Sequence, residues 1–333
     1  MKFKKIMLIL LIIFALVAIL YALLWLCSIR KYPVEYGISF NQYHAESLGL
    51  DWQETYLAML TDLKPKYVRI AAMWNEVESV QGQFDFTKVD WMMDKASEHN
   101  TKVTLVVGQK APRWPECHVP EWSNVLSKDD YDIALLNYVS EVVSRYKDND
   151  ELELWQVENE PFIKFRFGEC GGFQEELTYD EINLVRELDP NHKIIITDSG
   201  ELSTWRKASG AGDLFGTTLY RVIRRPSGMI LNYDWLPPAH YRFKAKFWGR
   251  SFNNFYISEL QAEPWFTDLD VQNTTLSEQA KTMTPDRLEK NFDYASRVGA
   301  SRAYLWGVEW WYWMRESKQQ GAFWNLVREK ITD

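Results

Sequence analysis

From Ile6 to Ile29 the chain carries no charged residue, and Leu, Ile, Ala, Val and Phe fill most of the run. At ~1.5 Å per helical residue such a run crosses a hydrocarbon core of ~30 Å, so it predicts one membrane helix. Beyond Lys31-Tyr32-Pro33 the pattern changes to short, β-rich apolar runs alternating with stretches of helical spacing. VEYGISF (34–40) has the character of a strand buried on both faces. Trp52, Tyr56, Met59, Leu60 and Leu63 then recur at helical spacing until Lys64-Pro65 stops them. KYVRIAA (66–72) precedes a helix around Val89 to Ala96, and KVTLVVG (102–108) precedes one carrying Tyr131, Leu135, Tyr138 and Val142. ELELWQV (151–157) precedes a helix opened by Thr178, with Glu181 at the spacing of a capping box. KIIITDS (193–199) is followed by a weak helical pattern near Trp205 to Leu214, and FGTTLYRVI (215–223) by a helix after Pro238. NNFYISEL (253–260) leads to a helix with Thr284 as N-cap, Pro285 at its first position and Gly299 past its end. SRAYLWGVE (301–309) leads to a last helix near Phe323 to Ile331. Eight strands, each followed by a helix, predict an α/β chain of the (β/α)8 barrel type rather than an open doubly wound sheet. The boundaries are an anchor over 1–31 and a barrel over 32–333. No Gly-rich phosphate loop follows any strand, which weakens nucleotide-binding and oxidoreductase readings.

The charge of the 333-residue chain is unevenly placed. Five of the 38 basic residues (Lys2, Lys4, Lys5, Arg30, Lys31) and none of the 46 acidic ones fall in 1–31, which leaves the body at −13. A nucleic-acid partner is excluded on that balance. The apolar run is longer than a cleavable signal core and no A-x-A-like site closes it, so an uncleaved signal anchor is expected, with secretion after cleavage as the alternative. The basic amino end places itself in the cytoplasm and the barrel outside. Cys27 follows Leu-Trp-Leu, where a lipoprotein signal needs a small residue, and reads as a buried apolar cysteine. Cys117 and Cys170 fall in neighbouring loops on one face, in a compartment that permits oxidation; a disulfide and two free thiols both remain open. His44, His118 and His240 lack metal-ligand spacing, so neither a metal nor another cofactor is expected, and the chain is expected to be a monomer.

Chemistry in this fold sits at the carboxyl ends of the strands. Strand four ends Trp155-Gln156-Val157-Glu158-Asn159-Glu160-Pro161, and strand seven ends Tyr256-Ile257-Ser258-Glu259-Leu260. Glycosidic cleavage needs an acid to protonate the leaving oxygen and a carboxylate to attack or stabilise the oxocarbenium-like centre. Strands four and seven face each other across the barrel mouth, which suits Glu160 and Glu259 to those roles.

On these residues the chain resembles the retaining (β/α)8 glycoside hydrolases of clan A, the 4/7 superfamily that includes the cellulase-like enzymes. Asn159-Glu160-Pro161 matches the acid/base motif and Ile257-Ser258-Glu259 the nucleophile motif. The likeness extends to Arg69 on strand two, Tyr220 on strand six and Trp306 at the end of strand eight. Trp74-Asn75-Glu76-Val77-Glu78 with Gly82-Gln83-Phe84-Asp85-Phe86 is similar to the second-strand signature of families 5, 39 and 42. The resemblance implies double displacement on a β-linked oligo- or polysaccharide, with Asn159 on the 2-hydroxyl and Arg69 and Tyr220 holding Glu259 ionised. Gly108-Gln109-Lys110 lacks the histidine common after strand three, and Glu158 replaces an apolar or small residue, so the clan is assigned and the family is not. Glu158 reads first as a solvated loop carboxylate and second as a partner for Arg69. Glu263-Pro264 lies too far past strand seven to supply the nucleophile.

Most of the sixteen tryptophans are expected to pack the core. Trp74, Trp114, Trp265 and Trp306, with some of Trp310, Trp311 and Trp313, are candidate sugar platforms, Trp306 at the reacting subsite. Two alternatives share these residues: a silent barrel that binds surface glycan, against which the intact Glu pair argues, and a transglycosylase that remodels an exported polysaccharide.

Overall fold

A computed structural model describes residues 2–163, 168, 170, 174–225, 227–265 and 271–332. Eight parallel strands close into a barrel in chain order: β1 (Glu35–Ser39), β2 (Tyr67–Ala71), β3 (Lys102–Val107), β4 (Leu152–Val157), β5 (Lys193–Asp198), β6 (Leu214–Leu219), β7 (Phe255–Gln261) and β8 (Arg302–Trp306). β8 returns to β1 with Ser39 opposite Trp306, which brings the ends of both strands to the mouth. α1 (Lys2–Cys27) precedes the barrel, and the surrounding helices are α2 (Trp52–Ala58), α3 (Thr87–Glu98), α4 (Lys128–Tyr146), α5 (Glu175–Leu188), α6 (Ala239–Phe247), α7 (Pro285–Val298), α8 (Val308–Lys318) and α9 (Ala322–Thr332), with shorter turns between them.

The main core lies between strands and helices, where Ile38, Val68, Val103 and Ile257 meet Leu60, Val142 and Leu288. Inside the barrel, Tyr67, Leu154, Ile195, Leu214, Tyr256 and Tyr304 form a second cluster. The Arg302 guanidinium lies 3.3 Å from the Tyr67 ring centroid and 4.8 Å from that of Tyr256, and so joins this plug. α7 begins and ends on Thr284 and Gly299 as the sequence predicts, Gly299 being left-handed at φ 83°.

Several expectations are corrected. α5 starts at Glu175 after Gln174, so Thr178 and Glu181 do not cap it; both are buried within the helix. Strand six stops at Leu219, and Val222–Arg224 turns out to pair with Ile230–Asn232 as an antiparallel hairpin. Only the single turn Ala208–Ala211 links β5 to β6. Strand eight stops at Trp306, because Gly307 adopts φ 140° and a Cβ there would come 2.7 Å from Glu263. Val308 then opens α8, which buries Trp310, Trp311 and Trp313 in the core. These three are therefore not sugar platforms.

α1 is apolar and long enough to cross a membrane, and among the described residues the barrel meets it at its carboxyl end. Tyr21 Oη donates to the Trp235 carbonyl at 2.6 Å, Arg242 donates to the Cys27 carbonyl at 3.0 Å, and the Ala239 amide donates to Ser28 Oγ at 2.9 Å. Cys27 is exposed on α1 and its side chain is not buried by protein, although its carbonyl is held by Arg242.

Candidate active site

β7 carries an irregularity where it matters. Its pairing with β6 passes from Ile257 to Glu259 and its pairing with β8 from Ile257 to Leu260, so the ladder slips around Ser258. Such a bulge re-aims the side chain beside it. Glu259 is buried, accepting from Arg69 Nη1 at 3.1 Å and from the Tyr220 hydroxyl at 2.6 Å. Burial, then the Glu259 charge, push the Tyr220 hydroxyl well above its ordinary range, which keeps it a donor.

Arg69 spreads its remaining donors over the neighbouring strands. Nε reaches Gln156 Oε1 at 2.8 Å, Nη2 reaches Asn159 Oδ1 at 2.9 Å, and Nη1 also reaches the Ser258 carbonyl at 3.2 Å. Asn159 is thereby held with its amide nitrogen towards Glu116, 3.2 Å away. Glu160 follows in a left-handed turn at φ 45°, its amide donating to Thr197 Oγ1 at 2.9 Å. Its carboxyl is held well above the usual range, first by burial and then by Glu259, with Glu116 and Asp198 adding to the push and Lys110 opposing it. The Asp198 carboxyl, at the end of β5, is itself pushed up to about 6 by burial.

Glu158 is neither solvated nor paired with Arg69. It turns back to accept the amides of Gln109 at 2.8 Å and Lys110 at 2.6 Å, and meets the Glu181 carboxyl on α5. The approach is possible because residue 108 is glycine: a Cβ there would come 2.5 Å from Glu158 Oε1. Burial pushes Glu158 up to about 7, while Glu181, raised by burial and by Glu158, keeps the shared proton.

Sequence reasoning missed three further residues. Gln156 is on β4 and aligns Arg69. Glu116, on the β3–α4 loop, brings a third carboxyl into the cleft. Burial raises it to about 7, with Glu259 adding and Lys110 opposing. The signal available was its neighbour, since Cys117 is bonded to Cys170 with Cα atoms 5.1 Å apart, tying this loop to the one after β4. Arg113, on the same loop, pairs with Glu263 and with Glu309 Oε2 at 2.8 Å, and stacks 4.1 Å from the Trp306 ring centroid. His44, Glu263 and Glu309 bring three possible ligand atoms within 4.8 Å, a grouping their sequence spacing hides. The guanidinium of Arg113 supplies the positive charge those two carboxylates need.

The aromatic candidates divide. Trp74 is fully buried, stacked on Tyr138 at 5.7 Å and donating to Glu78, so it is a core residue and not a platform. Trp306 is 7% exposed beneath Arg113. Trp265 stands edge-on to Tyr220 at 4.9 Å, beside the nucleophile candidate, and Trp114 keeps 38% of its surface open.

Residues 68–214, from β2 to the first residue of β6, match the family model described as Glycosyl hydrolase family 10. Over this stretch, less than half of the chain, the barrel is similar to glycoside hydrolases. The matched stretch holds Arg69, Asn159 and Glu160, and its family differs from the three whose second-strand signature the sequence resembles. Among solved structures, xylanase 10B from Thermotoga maritima is similar at TM-score 0.56 and 15% identity, covering 93% of this chain and 98% of that one. An intracellular xylanase from Thermoanaerobacterium saccharolyticum gives 0.55 at 19% identity, over 86% and 88%. A β-galactosidase from Rahnella sp. R3 gives 0.63 at 11% identity, over 91% of this chain and 57% of that one. These likenesses are of the (β/α)8 fold, and the chain spans little more than half the length of the β-galactosidases it matches.

Proposed function

We propose that the protein is a retaining glycoside hydrolase acting on a β-linked glycan, with Glu160 as acid/base and Glu259 as nucleophile. The observation that carries this reading is the clamp on Glu259, whose two oxygens accept from Arg69 and from Tyr220. An opposite charge and a hydrogen bond both favour the anion that attacks. Glu160, raised by burial and by Glu259 itself, holds the proton that the leaving oxygen needs. Glu160 protonates that oxygen while Glu259 bonds to the anomeric carbon; Glu160 then takes a proton from water, which displaces Glu259 and releases the sugar. Asn159, its carbonyl fixed by Arg69, turns its amide towards the 2-hydroxyl, where hydrogen bonds strengthen in the transition state. Trp265 and Trp114 offer aromatic faces for neighbouring sugars, and Trp306 lines the floor of the site with Arg113 stacked on its ring. The β-linkage preference follows the clan and the names of the similar xylanases and β-galactosidase.

In this reading residues 1–31 are an uncleaved anchor and 32–333 an extracytoplasmic catalytic domain. The Cys117–Cys170 bridge supports that side of the membrane, because disulfides persist in oxidising compartments.

Glu259→Ala abolishes turnover of a panel of β-glycosides. Glu160→Ala lowers turnover of substrates with poor leaving groups by ~10²–10⁴, and azide partly rescues it, giving a glycosyl azide of retained configuration. Wild-type-like turnover in either variant overturns the assignment.

A further inference from the structure

We infer that the barrel does not hang free on its anchor but rests on the membrane, with the outer face of α6 and Trp235 seated in the lipid headgroup layer. The inference rests on the anchor reading of α1. A hydrocarbon core of ~30 Å takes about 20 helical residues, which from Ile6 reach Trp25. Tyr21 and Trp25 then fall at the outer boundary, where such amphipathic rings collect. The Tyr21 hydroxyl donates to the Trp235 carbonyl at 2.6 Å, so Trp235 shares that depth, and its side chain is 60% exposed.

α6 continues the same surface. Arg242 ties it to the Cys27 carbonyl, and the Ala239 amide to Ser28. Its inner face buries Tyr241 and Ala245 in the core, yet one turn apart on the outer face Phe243 is 44% and Phe247 78% exposed. The helix has no acidic residue, although the body of the chain is strongly acidic; Lys246 is exposed beside the two phenylalanines, Arg242 lies at the junction with α1, and Lys244 is turned inward to the Gly200 and Ser203 carbonyls. Exposed aromatics with Lys246 among them and Arg242 at the junction, beside the point where a membrane helix leaves the barrel, fit an anionic lipid surface.

The test uses the full-length chain with Cys27→Ser, reconstituted in vesicles of phosphatidylcholine and phosphatidylglycerol. A fluorescent label is placed in turn at Phe247→Cys, Trp235→Cys, Leu16→Cys within α1 and Val125→Cys, an exposed position on the β3–α4 loop across the barrel. With nitroxide on the lipid headgroups, the labels at 247 and 235 are expected to be quenched several-fold more than the label at 125. With nitroxide on the acyl chains, the label at 16 is quenched. Quenching at 247 and 235 no greater than at 125, with the label at 16 still quenched, overturns the inference and leaves the anchor standing. No quenching at 16 removes the anchor, and the inference with it.

Discussion

Glu116 carries a carboxyl into a cleft that already contains Glu160 and Glu259, and its charge bears on both. A glutamine in its place keeps the volume and can still accept from Asn159, but brings no charge. Glu160 then loses one of the negative neighbours that raise it, and its anion forms more easily. Under the proposed mechanism, the limb of kcat/KM that reports loss of the acid therefore moves to lower pH in Glu116→Gln. A pH profile on a disaccharide substrate, whose poor leaving group needs the acid, checks this; an unmoved limb removes Glu116 from the electrostatics of the site. Glu160, Glu259, Asn159, Arg69 and Tyr220 were legible because each lies within three residues of a strand's carboxyl end, where chain position maps directly onto the mouth. Glu116 and Arg113 were not, because they sit on a long loop without periodicity, whose path depends on a covalent tie formed 53 residues away.

At the scale of elements, the α5 start shows how a local pattern can mislead. Thr178 and Glu181 have capping-box spacing, yet Glu181 is needed inside the helix, facing Glu158 at the end of β4. The two carboxyls are raised above their ordinary value of 4.5, Glu158 to about 7 and Glu181 further. The folded state thus binds protons more tightly than the unfolded chain. The stability this provides is full below about pH 4.5 and is lost as pH rises through the folded values. Glu181→Gln can still donate to Glu158 and does not titrate, so its thermal midpoint relative to wild type rises between pH 5 and pH 8. Parallel melting curves across that range would refute the shared-proton pair. The eight strands were readable from their apolar runs, whereas α8 was not: Gly307 ends β8 by a backbone conformation that hydropathy does not register. The tryptophans that follow then looked like loop residues, and a helix buried on all sides has no polar stripe to announce it.

For the whole molecule, the Cys117–Cys170 bridge joins the loops after β3 and β4, on which Glu116 and Glu160 stand. Closing a loop of 53 residues contributes up to ~4 kcal/mol by chain entropy. Cys117→Ser with Cys170→Ser accordingly lowers the unfolding free energy by about 2–4 kcal/mol in a denaturant titration, and reductant has no further effect on that variant. An unchanged midpoint would mean that the loops are held by other contacts. A different consequence follows from Arg69, which fastens β2 to β4 and β7 while it clamps Glu259. In a duplicated copy released from selection for activity, Glu160 can drift early, since its loss leaves the barrel wall intact. Arg69 cannot, because its removal strands buried acceptors on two strands. A decayed descendant of this chain would therefore still carry the arginine long after the acid had gone, and the presence of Arg69 alone is a poor sign that such a relative is active.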